Sequence, residues 1–312
     1  MKRRYRWIDP AGVAIVVLGW MGLAPAQPTR PVRQTRVPPG VKAHLDLEYA
    51  KVGSISLKLD LYVPEKAARP MPVIAYIHGG GWSGGSKNRC PAVVMCLKGY
   101  AAASIEYRLS GVATFPAQIH DCKGAIRWLR ANAQKYNLDP NRVGVWGPSA
   151  GGHLVALLGT TGDSNALEGD VGGNLDQSSR VQAVCDFFGP TDLVSIVGGR
   201  GFERPNNVVA RLLGGPVAQK KDLAVLASPL THVTKDDAPF LIMHGDKDRL
   251  VPLSQSQSLH DALVRAGVES TFHVVKGRGH GFGGAEIMRM VADFFDKHLA
   301  APKAASQPAK GG

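Results

Sequence analysis

Val143-Gly144-Val145-Trp146-Gly147-Pro148-Ser149-Ala150-Gly151-Gly152-His153-Leu154-Val155-Ala156-Leu157-Leu158 passes from an apolar β-type run, through five small residues, into a helix-forming run. Small neighbours let Ser149 occupy a sharp strand-to-helix turn. There its hydroxyl stands at the edge of a sheet and at the N-terminus of a helix. Glycine-flanked serines are also ordinary turns, so the placement between strand and helix carries the reading of Ser149 as a nucleophile, not the pentapeptide alone.

Working outward, the same rhythm repeats. Val73–Ile77, Ala101–Ile105, Val181–Phe187, Phe240–Met243 and Thr271–Val275 are continuously apolar runs, as parallel strands covered on both faces should be. Ile55, Leu57, Leu59, Leu61 and Val63 alternate instead, so 54–63 reads as a half-buried strand that pairs with 45–49 in an antiparallel edge hairpin. Ala117–Tyr136 carries Ile119, Ala125, Trp128 and Leu129 at helical spacing, with Asp139-Pro140 expected to mark its exit. Strands alternating with helices imply βαβ units and a mostly parallel α/β sheet. Residues 191–237 break the rhythm and read as a small cap insertion over the strand ends.

Three further turns supply the chemistry a serine needs. His78-Gly79-Gly80-Gly81-Trp82 ends one strand, and its glycines allow backbone N–H groups to approach a ligand closely. The amides of Gly80, Gly81 and Ala150 are the expected oxyanion donors. A phosphate-binding reading would need Gly-Lys-Ser or Gly-Lys-Thr, which is missing here. Among ten histidines, His280 in Gly277-Arg278-Gly279-His280-Gly281-Phe282 is the expected base, on a glycine-rich turn after the last strand. His78 and His244 are expected to bond the backbone of their own turns, and His153 to pack behind Ser149. The acid should lie between the serine and this histidine in the chain. His244-Gly245-Asp246-Lys247-Asp248 offers two aspartates, of which Asp248 is preferred and Asp246 is expected to shape the turn. Trp82 and Phe282 are the expected substrate-pocket walls, or else core.

Together these segments resemble the α/β-hydrolase superfamily, and within it the esterase/lipase branch with a His-Gly-Gly-Gly oxyanion loop. Tyr107-Arg108-Leu109-Ser110, Phe115-Pro116-Ala117-Gln118, Phe188-Gly189-Pro190-Thr191-Asp192 and Ala227-Ser228-Pro229 are similar to bacterial exported acetyl-xylan and feruloyl esterases, the BD-FAE group. Arg108 and Asp192 are expected to be paired structural charges. The resemblance covers nearly everything from Leu45 to Leu299. It implies an eight-stranded hydrolase sheet and an acyl-enzyme mechanism without metal or organic cofactor. It also implies an ester substrate, acylated xylan being favoured over a general short-chain ester or a prolyl-oligopeptidase-like peptide. A non-catalytic module on a decayed scaffold would have lost the serine, the histidine or the oxyanion glycines, and all are present.

The rest of the chain sets bounds. Of 312 residues, 44% are hydrophobic and 20% charged, the balance of a folded globular protein. Lys2, Arg3, Arg4 and Arg6 precede an apolar run from Ala11 to Ala24, then Ala24-Pro25-Ala26. That order reads as a secretory signal peptide over 1–26, because 14 apolar residues fall short of the roughly 20 that span a bilayer. An exported protein with no stable membrane insertion after processing is expected. Residues 27–40 read as a proline-rich linker, 41–300 as the catalytic domain and 301–312 as an unstructured tail. The net charge is +12, of which residues 1–26 supply +3, and the remaining bases are scattered, which argues against a nucleic-acid partner. Cys90, Cys96, Cys122 and Cys185 are expected to be mostly buried thiols, since two of them six apart on one helix would stand about 9 Å apart, too far for a bridge.

Overall fold

A computed structural model describes residues 34–162, 164–198 and 206–299. The signal-peptide and tail expectations lie outside these residues, as does the first part of the expected linker. The remainder of that linker is pinned to the domain: the Thr35 amide donates to Asn88 O at 2.8 Å, and Thr35 Oγ1 accepts from the Cys90 amide at 2.8 Å.

Eight strands form one sheet: β1 Val41–Val52, β2 Ile55–Pro64, β3 Met71–Ile77, β4 Ala101–Ile105, β5 Leu138–Pro148, β6 Ala183–Phe187, β7 Phe240–Gly245 and β8 Ser270–Val275. Their order is β1-β2-β4-β3-β5-β6-β7-β8, with β1/β2 and β2/β4 antiparallel and all other pairs parallel. The helices are α1 Ala117–Ala131, α2 Ala133–Tyr136, α3 Ala150–Thr160, α4 Asn165–Glu168, α5 Val208–Leu213, α6 Lys221–Leu226, α7 Leu253–Arg265 and α8 Ala285–Leu299.

Continuous apolarity in the strands has its cause in two separate cores. Val73, Ala75, Ile77, Val143, Val145, Phe240 and Ile242 face one core with α1, α3 and α7. Their neighbours Ile74, Tyr76, Trp146, Leu241 and Met243 face the other, with α8 and a 3₁₀ helix over Pro91–Lys98. Helix α8 shows why it docks: Ile287, Val291, Phe294, Phe295 and Leu299 are buried at helical spacing, Glu286 sits in its first turn and Lys297 in its last.

One expectation needs correction, and the cysteine reading holds with a different helix type. The helix from 117 breaks at Asn132 and stops at Asn137, which takes a left-handed conformation at φ 53°, so Asp139-Pro140 belongs to β5 and not to a helix exit. Cys90 caps the 3₁₀ helix and Cys96 lies within it, where the steeper rise puts them about 12 Å apart. All four cysteines are buried free thiols.

Residues 191–237 contain no strand among those described. They carry α5, α6 and three short 3₁₀ turns, which bring Val208 over the glycine loop. The ends of β3, β5, β6, β7 and β8 lie along the carboxyl edge of the parallel part, where open α/β sheets place their ligands.

Candidate active site

The site begins with a strained residue. Ser149 sits at φ 55°, ψ −122°, a conformation that costs a non-glycine residue roughly 1–3 kcal/mol and must be imposed by its surroundings. The imposition is visible. The Ser149 amide donates to Phe187 O at 2.8 Å, and the His153 amide donates to Ser149 O at 2.9 Å. A Cβ added to Gly151 would meet Ile77 O at 2.1 Å, and one on Gly147 would meet the Gly151 carbonyl at 2.5 Å. Only glycine lets β3, β5 and the start of α3 cross this closely.

Ser149 Oγ donates to His280 Nε2 at 2.8 Å, and His280 Nδ1 donates to Asp248 Oδ2 at 2.7 Å. Residues 131 apart in the chain thus meet at one sheet edge. Of the two aspartates considered, Asp248 meets the imidazole. Asp246 Oδ1 instead accepts from the Gly277 amide at 2.6 Å, tying the turn after β7 to the turn after β8. The Asp248 side chain is shut off from solvent. Burial pushes its carboxyl pKa up, but hydrogen bonds from His244 and His280 and from the Leu250 amide outweigh this and hold it well below the usual carboxylate range.

Gly80, Gly81 and Ala150 border the same cavity as Ser149 and His280, about 510 Å³ in volume. Among the described residues, none accepts from their amides, whereas Gly80 O takes the Ser83 and Gly84 amides at 3.2 and 3.0 Å. The Gly80 carbonyl is committed to the loop's own turn and the amides are left for a ligand. A Cβ on Gly80 would meet Gly84 O at 2.3 Å, which is why this turn needs glycine.

Trp82 borders the cavity, but its indole N–H also donates to His153 Nδ1 at 3.1 Å, and His153 Nε2 donates to Ala227 O at 2.7 Å. Burial lowers the His153 pKa to about 4, partly offset by that carbonyl. The neutral ring therefore bridges the glycine loop, α3 and the end of the insertion. Phe282, expected at the wall, does not border the cavity; it packs behind, 5.0 Å from the Phe187 ring and 5.1 Å from Phe188. The wall is Phe188, whose ring centroid lies 4.6 Å from that of His280. Pro190, Val208, Leu250 and Val251 complete an apolar lining.

Arg108 does not pair with Asp192. It forks onto buried Asp121 of α1, with Nη2 2.6 Å and Nε 2.8 Å from the two oxygens. Asp192 Oδ1 instead accepts from the Val194 amide at 2.9 Å. His78 Nδ1 donates to Gly79 O at 2.8 Å, within its own turn. His244 reaches further than its turn: besides bonding Val251 O, it touches Asp248 and Ser256.

A mostly parallel eight-stranded sheet with a serine elbow after β5 defines an α/β hydrolase. The chain belongs to the BD-FAE family, whose match spans residues 59–263. It is similar to a carbohydrate esterase from gut microbiota, with 35% identity and a TM-score of 0.75 over 82% of this chain and 95% of that one. It is also similar to an acetyl ester-xyloside bifunctional hydrolase from Caldicellulosiruptor lactoaceticus, with 25% identity and a TM-score of 0.67 over 84% and 94%. Esterase LipC of Mycobacterium tuberculosis is 30% identical over 69% of this chain and 54% of its own length. This chain spans about half the length of the curated relatives it matches.

Proposed function

We propose that this chain is a serine carboxylic-ester hydrolase that removes acetyl or feruloyl groups from plant cell-wall polysaccharide, with Ser149, His280 and Asp248 as its catalytic residues. The observation that carries the reading is the unbroken path of hydrogen bonds from Ser149 Oγ through His280 to Asp248, opening on a cavity bordered by uncommitted amides. His280 takes the serine proton as Oγ attacks the ester carbonyl. Negative charge then develops on the carbonyl oxygen facing the Gly80, Gly81 and Ala150 amides. The alcohol leaves with the proton returned by His280, and water repeats the sequence on the acyl-enzyme. Asp248 keeps the Nδ1–H tautomer and stabilises the imidazolium.

The apolar lining of Phe188, Pro190, Val208 and Leu250 suits an acyl group, while the sugar alcohol leaves toward solvent. The family match and the two carbohydrate-active structural neighbours support a sugar ester over a free lipid ester. Export belongs to the same proposal and is supported by residue order alone, four bases ahead of the apolar run 11–24. N-terminal sequencing of the processed protein should begin at Gln27, and retention of Met1 on the finished protein counts against it.

The deciding experiment is a panel of p-nitrophenyl acetate, methyl ferulate, acetylated xylan and a proline-linked peptide anilide. Wild type should act on the esters, with acetylated xylan or methyl ferulate preferred, and Ser149→Ala should lose roughly 10⁴-fold or more in kcat. Turnover of the anilide alone would sink the ester reading, and activity confined to p-nitrophenyl acetate would leave a general esterase.

A further inference from the structure

His244 is fully buried at the end of β7, four residues before Asp248. Its Nε2 lies 3.0 Å from Val251 O and 3.2 Å from Asp248 Oδ2. Both neighbours are acceptors, so Nε2 carries the hydrogen and Nδ1 faces Ser256 Oγ of α7 at 2.7 Å. Oδ2 of Asp248 therefore accepts from His280 Nδ1 at 2.7 Å and also faces the Nε2–H of His244, which is shared between this oxygen and Val251 O. The other oxygen is held independently: Oδ1 accepts from the Leu250 amide at 2.8 Å and the Val251 amide at 3.0 Å. These two amides anchor the carboxylate through Oδ1, which leaves His244 acting on Oδ2, the oxygen that meets His280.

Taking the ester-hydrolase reading with Asp248 as its acid, we propose that His244 is a positioning residue that shares Asp248 Oδ2 with His280 and thereby restrains the carboxylate's hold on a protonated His280. A carboxylate with one fewer donor carries more charge on Oδ2 and stabilises the imidazolium more strongly. The base would then stay protonated, and useless to Ser149, up to a higher pH. Ser256 strengthens the His244 donor from behind, since a hydroxyl bonding to Nδ1 polarises the ring toward a more acidic Nε2–H.

The charged groups around His244 are few. Asp248 lies on its own turn and His280 lies across that carboxylate. Asp186 of β6 is fully buried, with Oδ1 taking the Gly189 amide at 2.9 Å and Oδ2 lacking a partner among the described residues. Burial raises the Asp186 pKa to about 6, against the pull of the Gly189 amide and of His244. Helix α7 offers only the neutral Ser256, and the Phe188 ring lies 6.3 Å away.

The test is the pH profile of kcat/KM for p-nitrophenyl acetate, whose acid limb reports the free enzyme's base. His244→Leu should move that limb upward by about half a pH unit or more. His244→Gln, whose amide N–H can again donate to Oδ2, should bring it back toward wild type. An unmoved limb, a downward shift, or a loss of activity without any limb shift would each overturn the proposal. Should His244→Leu fail to fold, Ser256→Ala reads the same quantity and should give a smaller upward shift. Repeating the pair in Asp186→Asn removes the buried carboxyl from the readout, and the shift must survive there. Asp248→Asn separates the two levels. Wild-type activity in that variant would remove the ester mechanism as drawn, whereas an inactive Asp248→Asn beside an unshifted His244→Leu removes the role of His244 alone.

Discussion

The two halves of the candidate site are both rich in glycine, and the glycines do opposite work. On the serine side they are there because nothing larger fits. Added Cβ atoms at Gly79, Gly151, Gly152 and Gly189 would lie 2.1–2.7 Å from backbone or from the Asp186 carboxylate. On the histidine side, added Cβ atoms at Gly277, Gly281, Gly283 and Gly284 would meet nothing within 4 Å. The serine is therefore fixed by interlocked backbone, while the imidazole is fixed by hydrogen bonds, by the Phe188 ring and by one tight crossing, Gly245 against the Arg278 and Gly279 carbonyls.

This contrast can be broken at three points, in falling order of effect. Gly151→Ala forces a methyl group against two β3-end carbonyls, and should cost more than about 4 kcal/mol or prevent folding. Thermal melting near wild type would show that the crossing relaxes more easily than its geometry suggests.

Asp186 supports the serine side from beneath, with its Oδ1 against Gly152 and Gly189. Its folded pKa, about 6, lies above the ordinary carboxylate value. The stability tied to its proton is thus full below about pH 4 and is lost as pH rises through 6. Relative to Asp186→Asn, wild type should lose about 1 kcal/mol between pH 5 and pH 7 by chemical denaturation. A difference that is flat with pH, or that grows in favour of wild type, would mean that Asp186 does not ionise as its burial implies.

Gly283→Ala should sit at the other extreme. The site is open and its φ is not left-handed, so stability should change by no more than about 0.5 kcal/mol and activity by less than about twofold. A large loss of activity would show that the histidine turn needs glycine for motion and not for room.

The architecture was legible because burial on both faces of a sheet leaves its mark in composition. Five of the six continuously apolar runs became central strands, the sixth, Thr271–Val275, became the half-buried edge strand β8, and the one alternating run became β2 in the edge hairpin. Boundaries were less legible: β5 starts at Leu138 because it pairs with Met71, a partner choice no local pattern contains. Within the site, the residues carried by glycine-marked turns could be read, and those defined by tertiary partners could not. Phe282 adjoins His280 in sequence but turns into the core, while Phe188, 92 positions away from His280, supplies the wall. His244 was visible as a strand-end histidine. Its contact with Asp248 depends on β7 curling back through a turn, although the four-residue spacing from Asp248 was a signal that could have been weighed. Arg108 found Asp121, 13 residues along and on α1, where helix geometry rather than motif membership sets the pairing.

Phe188 has a consequence for anyone wishing to change which acyl groups are accepted. Its ring is both the floor of the pouch and the rest against which the imidazole leans, and its own backbone is held at φ 45° with the amide fastened to Met243 O. Whittling it down to admit a bulkier acid would unseat the base in the same stroke. Val208 touches the pouch from the insertion and packs on Gly81, away from the imidazole, so acyl range can be remodelled at that position without unseating the base.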